Sequence, residues 1–282
     1  MSRGALVLVG TPIGNMGDLS ARARDELARA DVIACEDTRR TGRLLDLSGL
    51  GRKPLLVIND HTEARRVKEV LERVERGERV AVVTDAGMPG ISDPGERLVR
   101  AAAAAGHAVE IVPGPSAVIS ALVVSGLSTG RFVFEGFLPR RGSGRTQRLQ
   151  EIADETRTVV LYEAPHRVRA TLDDLVKACG ADRQIVLTRE LTKLHEEVWR
   201  GTVRAAVEWM AEREPRGEYV VVLAGREERE HVDDQIILAA LDRELAVGSS
   251  TKDAVTLVAE LLDVSRRRVY ELATQRSRSP ES

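Results

Sequence analysis

Aromatic side chains are scarce in this 282-residue chain, at 3%, with 2 tryptophans, 3 tyrosines and 3 phenylalanines. Its cores must therefore be built from Ala, Val, Leu and Ile. Cysteine is scarcer still. Cys35 and Cys179 are too few and too far apart for a disulfide framework or a zinc site, and read as small buried hydrophobes in a reducing compartment. The five histidines (His61, His107, His166, His195 and His231) show no metal-binding spacing, so no metal is expected. No apolar run approaches the roughly 18 residues of a membrane span, and none of signal-peptide length precedes Gly10. The expectation is a soluble cytoplasmic protein. Neither charge sign dominates: 42 Lys and Arg face 44 Asp and Glu, a formal charge of −2. That balance does not exclude nucleic acid, whose binding depends on local basic patches.

What is present is an alternation of short apolar runs with amphipathic segments. Runs at 5–9, 32–35, 55–58, 80–84 and 109–112 read as strands. Helical spacing separates them, with helices also at 63–76 and 95–105 and one starting near Ser116. Buried runs joined by helices predict a parallel α/β sheet covered on both faces. From about Thr129 the texture changes. Strands at 158–163, 184–188, 196–201 and 218–224 leave little room for a crossover helix near 190, which predicts a mixed sheet. A charged segment, "REEREHVDD", leads to helices at 234–246, 251–262 and from Val264, a short helix–turn–helix pattern. The expected division is 1–127, 128–228 and 233–275.

Three turns stand out. "GTPIGNMGDLS" follows the first strand, "VTDAGMPGISDPGE" the fourth and "IVPGPSAVIS" the fifth. The first fits neither G-x-G-x-x-G nor the Walker A loop, which disfavours NAD and nucleoside triphosphates. Gly- and Pro-rich turns at the carboxyl ends of three parallel strands predict a small-molecule cleft there.

Together with "CEDTRRTGRLL", "FEGFLPR", "YEAPHR", "LTRELTKLHEE" and "GEYVVVL", these segments span nearly the whole chain. In this order they are similar to the tetrapyrrole methylase superfamily, and within it to the ribosomal RNA small-subunit methyltransferase I family. The resemblance implies a two-domain α/β methylase fold with a helical tail and a homodimer. It also implies S-adenosylmethionine as methyl donor and, as acceptor, the ribose 2′-oxygen of a cytidine in the decoding region of 16S rRNA within the small ribosomal subunit. The loop at 59–64 departs from the family pattern, as does Met88, where the family usually has threonine.

By family position the donor is expected at Asp85, Met88, Gly90, Ile91, Ser116 and Ala117, with an adenine-side wall of Leu161, Tyr162, Leu191, Tyr219 and Val220. Gly10, Pro12, Gly14 and Asn15 are expected to border the entering acceptor. A ribose hydroxyl is a weak acid, so a proton acceptor helps. Glu36, Asp37 and His166 are candidates because each lies at or beyond a strand end. Asp37 fits a helix cap equally well. Arg39, Arg40, Arg140, Arg141, Arg145, Arg148 and Arg167 are candidates for RNA backbone contact, as are Arg266, Arg267 and Arg268. Two rival readings remain at this stage. One is a sister methylase acting on a tetrapyrrole or a protein side chain. The other is a DNA regulator that uses the tail, although Val269, Tyr270 and Leu272 look more like packing than base-reading residues.

Overall fold

The computed structural model describes residues 4–59, 62–227, 232–262 and 264–276. The chain condenses into two compact units, one up to Arg226 and one from Glu227. In the first unit, strands β1 (Ala5–Val9), β2 (Val32–Cys35), β3 (Leu55–Val57), β4 (Arg79–Val82) and β5 (Ala108–Val112) form a sheet of order β3-β2-β4-β1-β5. Every pairing in it is parallel. Helices α1 (Ala21–Arg29), α2 (Thr38–Leu47), α3 (Glu63–Glu75) and α4 (Glu96–Ala104) make the crossovers. Ala5, Val7 and Val9 pack with Leu27 and Leu45 on one face, while Leu6 packs with Val70, Val74 and Leu98 on the other. Burial on both faces is why these strands read as unbroken apolar runs.

The neighbours β2 and β4 send their chains in opposite directions. After β2 the chain crosses through α2 to β3, and after β4 it crosses through α4, past β1, to β5. Their carboxyl ends therefore flank a topological switch point, where the crossovers leave a crevice.

Helix α5 (Ala117–Ser125) joins this sheet to a second one. Ser116 caps its start and Gly126, at φ 79°, ends it in the left-handed region that glycine tolerates. The second sheet holds β6 (Phe132–Phe137), β7 (Thr158–Glu163), β8 (Gln184–Arg189), β9 (Glu197–Thr202) and β10 (Tyr219–Leu223), in the order β6-β7-β10-β8-β9. Only β6 and β7 run parallel; the other pairs are antiparallel, as the crowding near 190 predicts. Helices α6 (Ser143–Asp154), α7 (Val168–Cys179) and α8 (Val203–Ala211) cover one face, with Leu149, Leu172 and Met210 packing on Leu161, Leu187 and Val221. On the opposite face Val160, Val186, Val220 and Val222 meet Ile13, Val118 and Leu122 of the first half. The two sheets thus share a core within one unit.

The second unit packs α9 (Asp234–Ala246), α10 (Thr251–Leu261) and α11 (Arg266–Arg276) around Ile237, Leu241, Val255, Val258 and Val269. Asp233, Ser250 and Ser265 accept from the amides of Gln235, Asp253 and Arg268, capping each helix. Arg266, Arg267 and Arg268 pair with Glu260, Glu271 and Asp234. Part of the charged segment before α9, residues 228–231, lies outside the described residues, as does His61. Among the described residues no helix is long and apolar enough to cross a membrane, and no cluster of His, Cys, Asp or Glu could hold a metal ion.

Candidate active site

A cavity of about 420 Å³ opens between the two sheets, within the range that small-molecule sites occupy. It draws on both halves. The switch point contributes Glu36 and Arg40, just past β2, and Asp85 to Met88, just past β4. Ile91, Ser92 and Asp93 follow on the same loop, and Ser116 and Ala117 open α5. From the second sheet come Phe137, Tyr162 to Pro165, Thr188, Leu191, Tyr219 and Val220, with Glu190, Lys193 and Glu218 at the ends of their strands.

Of the expected donor-site residues, Asp85, Met88, Ile91, Ser116, Ala117, Tyr162, Leu191, Tyr219 and Val220 are brought together here. Leu161 is not. It alternates with Tyr162 along β7 and is buried in the core under α7. Gly90 lies behind the wall. At φ 85° it lets the loop fold back, with its amide donating to the Pro94 carbonyl at 3.0 Å.

The turn after β1 is tied closely to the neighbouring loops. The Thr11 amide donates to the Gly87 carbonyl at 2.9 Å and the Gly87 amide returns the bond at 3.2 Å, stitching this turn to the loop after β4. The Gly10 amide donates to Val112 of β5. A Cβ on Gly10 would lie 2.6 Å from the Gly114 backbone and 2.7 Å from the Met88 sulfur. One on Gly14 would lie 2.3 Å from the Lys193 side chain. These glycines permit close packing of loop on loop. Asn15, with its exposed side chain, caps a single 3₁₀ turn through the Gly17 amide. From this turn it is Ile13 that lines the cavity; Gly10, Pro12, Gly14 and Asn15 do not.

The candidate proton acceptors also separate. His166 is exposed and outside the cavity. Asp37 caps α2: it accepts from the Arg39 amide at 2.8 Å and pairs with the Arg39 guanidinium at 3.1 Å, which holds its carboxyl at about 2. Glu36 faces the cavity. Asp85 faces it too, with one oxygen 3.3 Å from the exposed Arg40 guanidinium and the other buried with no hydrogen-bond partner. Burial pushes the Asp85 carboxyl upward against the opposing charge of Arg40. Burial also raises the Tyr162 hydroxyl, to about 12, so it stays a neutral hydrogen-bonding group.

The basic residues divide as well. Segment 143–154 is a helix, and Arg145 lies on its inner face with Leu149 and Ile152. Its guanidinium pairs with Asp174 at 2.9 Å and donates to Thr171 and Pro139, so it braces α7. Arg167 is likewise turned inward, onto Glu163 at 3.2 Å and the Leu138 carbonyl. Arg148 is half-exposed and paired with Glu135 and Glu151. Arg39, Arg140 and Arg141 are exposed.

Two features were not read from the sequence. Glu63 is buried and accepts from the amides of Gly95, Arg97 and Leu98 at 3.0, 3.0 and 3.3 Å, fixing the cavity loop to the start of α4. Ser92, Glu190 and Thr192 are non-glycine residues held at φ 60°, 51° and 66° in or beside the wall. Such conformations cost free energy and persist where the surroundings enforce them. The first of these lies in a Gly- and Pro-rich loop; no local pattern marks the other two.

An α/β unit with a cleft between a parallel and a mixed sheet has the fold of a tetrapyrrole methylase. Residues 5–207 match the family of Tetrapyrrole (Corrin/Porphyrin) Methylases. The fold superposes on the methyltransferase CobJ with a TM-score of 0.60, at 23% identity, covering 79% of this chain and 95% of that one. It superposes on the cobalt precorrin-4 methyltransferase CbiF with a TM-score of 0.55, at 18% identity, covering 78% and 94%. Relatives that carry the name Ribosomal RNA small subunit methyltransferase I include the following. That of Synechocystis sp. is 44% identical over 96% of this chain and 98% of its own length. That of Mycobacterium tuberculosis (strain H37Rv) is 44% identical over 99% and 97%. That of Thermotoga maritima is 46% identical over 79% of this chain and 100% of its own. The chain belongs to the Ribosomal RNA small subunit methyltransferase I family.

Proposed function

We propose that this protein transfers a methyl group from S-adenosylmethionine to the ribose 2′-hydroxyl of a cytidine in the decoding region of 16S rRNA. We propose further that it acts in the cytoplasm, as a homodimer, on the assembled small ribosomal subunit. The observation that carries the reading is the cleft at the switch point, whose walls suit the donor's parts. Leu191, Tyr219 and Val220 offer an apolar slot for a purine, while Ser116 and the loop around Met88 to Ser92 offer backbone and hydroxyl partners to an amino-acid end. The carboxylates of Asp85 and Asp93 suit a cation.

When bound, the donor supplies an electrophilic methyl on a positive sulfur. The chain's own task is alignment, and holding two reactants in line is worth about 7–11 kcal/mol of barrier. Arg40 at the mouth, with the exposed Arg39, Arg140 and Arg141, supports the approach of a polyanion. The test is mass mapping of 16S rRNA from a deletion strain and after treatment of its small subunits with purified protein and donor. One ribose methyl should be lost in the first and restored in the second. An unchanged methylation pattern in both overturns the proposal.

A further inference from the structure

The carboxylates around the cleft differ in how their oxygens are used. Asp37 is fully engaged by Arg39 through backbone and side chain. Glu163 is buried and accepts from the Ala164 amide at 2.8 Å, Thr171 at 2.5 Å and Arg167 at 3.2 Å. Glu190 and Glu218 share Lys193 at 2.8 and 2.7 Å. Asp85 differs in that its cavity-side ion pair is one contact, 3.3 Å long, to an arginine whose side chain is 66% exposed. It also stands at the end of β4, beside the end of β2, on the switch-point crevice where a substrate atom must come.

Resting on the ribose-methylation reading, we propose that Asp85 is the proton acceptor for the 2′-hydroxyl. Arg40 holds it in reserve until an RNA phosphate draws the guanidinium away. In the step itself the 2′-O–H bond breaks and its proton passes to the Asp85 carboxylate as the new O–CH₃ bond forms. The methyl–sulfur bond breaks with its electron pair remaining on sulfur, which cancels the sulfonium charge. Asp85 then returns the proton to solvent. Arg40 is a positioning residue and never meets the reacting atoms.

The groups facing Asp85 set its behaviour. Cys35 ends β2 and Glu36 follows it, Asp37 caps α2 and Arg40 lies on it, and Asp93 lies further along the loop of Asp85. Arg40 and the Asp37 amide favour the carboxylate, whereas burial and the Asp37 charge oppose it. Drawing Arg40 away raises the proton affinity of Asp85 when the hydroxyl arrives. The acid limb of kcat/KM reports this group in the free enzyme.

The experiment uses the full chain, small ribosomal subunits and S-adenosylmethionine. Asp85→Asn should lower kcat about 100-fold or more, a loss well beyond the change in donor affinity that calorimetry finds for the same variant. Glu36→Gln should keep the wild-type acid limb. Arg40→Ala should raise KM for the subunit and move the acid limb to higher pH. Independently of turnover, the ¹³C-observed titration of the Asp85 carboxyl in donor-free protein should shift upward in Arg40→Ala. If Asp85→Asn retains wild-type kcat, or the carboxyl titrates unchanged in Arg40→Ala, the inference fails. If the wild-type protein places no methyl on ribose, the functional reading itself fails, a distinct result.

Discussion

Glu63 shows how much one buried side chain can organise. Its carboxylate collects three amides at the start of α4, where the helix dipole favours negative charge. The loop it anchors carries Met88, Ile91 and Ser92 into the cleft. Glu63→Ala leaves those amides unpaired, so we expect a loss of roughly 1–3 kcal/mol in urea denaturation together with weaker donor binding by calorimetry. Glu63→Gln keeps an acceptor oxygen and should fall between. Asp85 predicts the opposite sign. Its carboxyl is raised in the folded state, so the native protein binds more protons than the unfolded chain between the unfolded and folded pKa values. Its unfavourable contribution grows as pH rises through that window. Asp85→Asn should therefore raise the melting temperature at neutral pH, and the gain should vanish below the ordinary carboxylate range. An acid retained in a partly buried site at a cost to stability is a common mark of function.

The turn after β1 and the loop entering α6 show which elements the sequence reveals and which it hides. Gly10 and Gly114 bring two backbones together, and backbone cannot yield as a side chain can. Gly10→Ala should thus cost about 1–3 kcal/mol or more, measured by thermal unfolding. The sequence marked this turn as special because glycine clusters are visible locally. That it packs loop on loop depends on residues about 75 and 100 positions away, which no local pattern encodes. The segment "RRGSGRTQR" misleads for a different reason. Its glycines fit a loop or a helix entry alike; Ser143 begins a helix and Arg145 falls on the stripe of Leu149 and Ile152. The positional logic of i, i+4 and i+7 was present in the sequence and was masked by composition. Arg140→Ala with Arg141→Ala should reduce the salt slope of RNA binding by about 1.4–1.8 at unchanged stability. Arg145→Ala should leave that slope alone and cost roughly 1.5–3 kcal/mol. Strand existence, the parallel-to-mixed change and the tail helices were legible because burial on two faces, connection length and capping residues write themselves into short windows. Which strand face meets the cleft, as for Leu161 and Tyr162, was not.

At the level of the whole molecule the two units have separate cores, and the cleft belongs wholly to the first. The Thermotoga maritima relative is matched in its entirety by 224 residues of this chain, a length close to that first unit. A chain ending at Arg226 should fold with an unchanged urea midpoint for the cavity-bearing unit and bind the donor with wild-type affinity by calorimetry. The order β3-β2-β4-β1-β5 has one more consequence, which concerns synthesis. Ala5–Val9 is made before its partners yet ends inside its sheet, between β4 and β5, where Ala5 pairs with Arg79 and Ala108. At about 5–20 residues per second, this apolar strand waits some seconds at the ribosome with both edges unpaired. During that interval it is open to adhesion with other nascent chains, so we expect slower elongation or scarce chaperone to cut the soluble yield before any effect on activity per folded molecule.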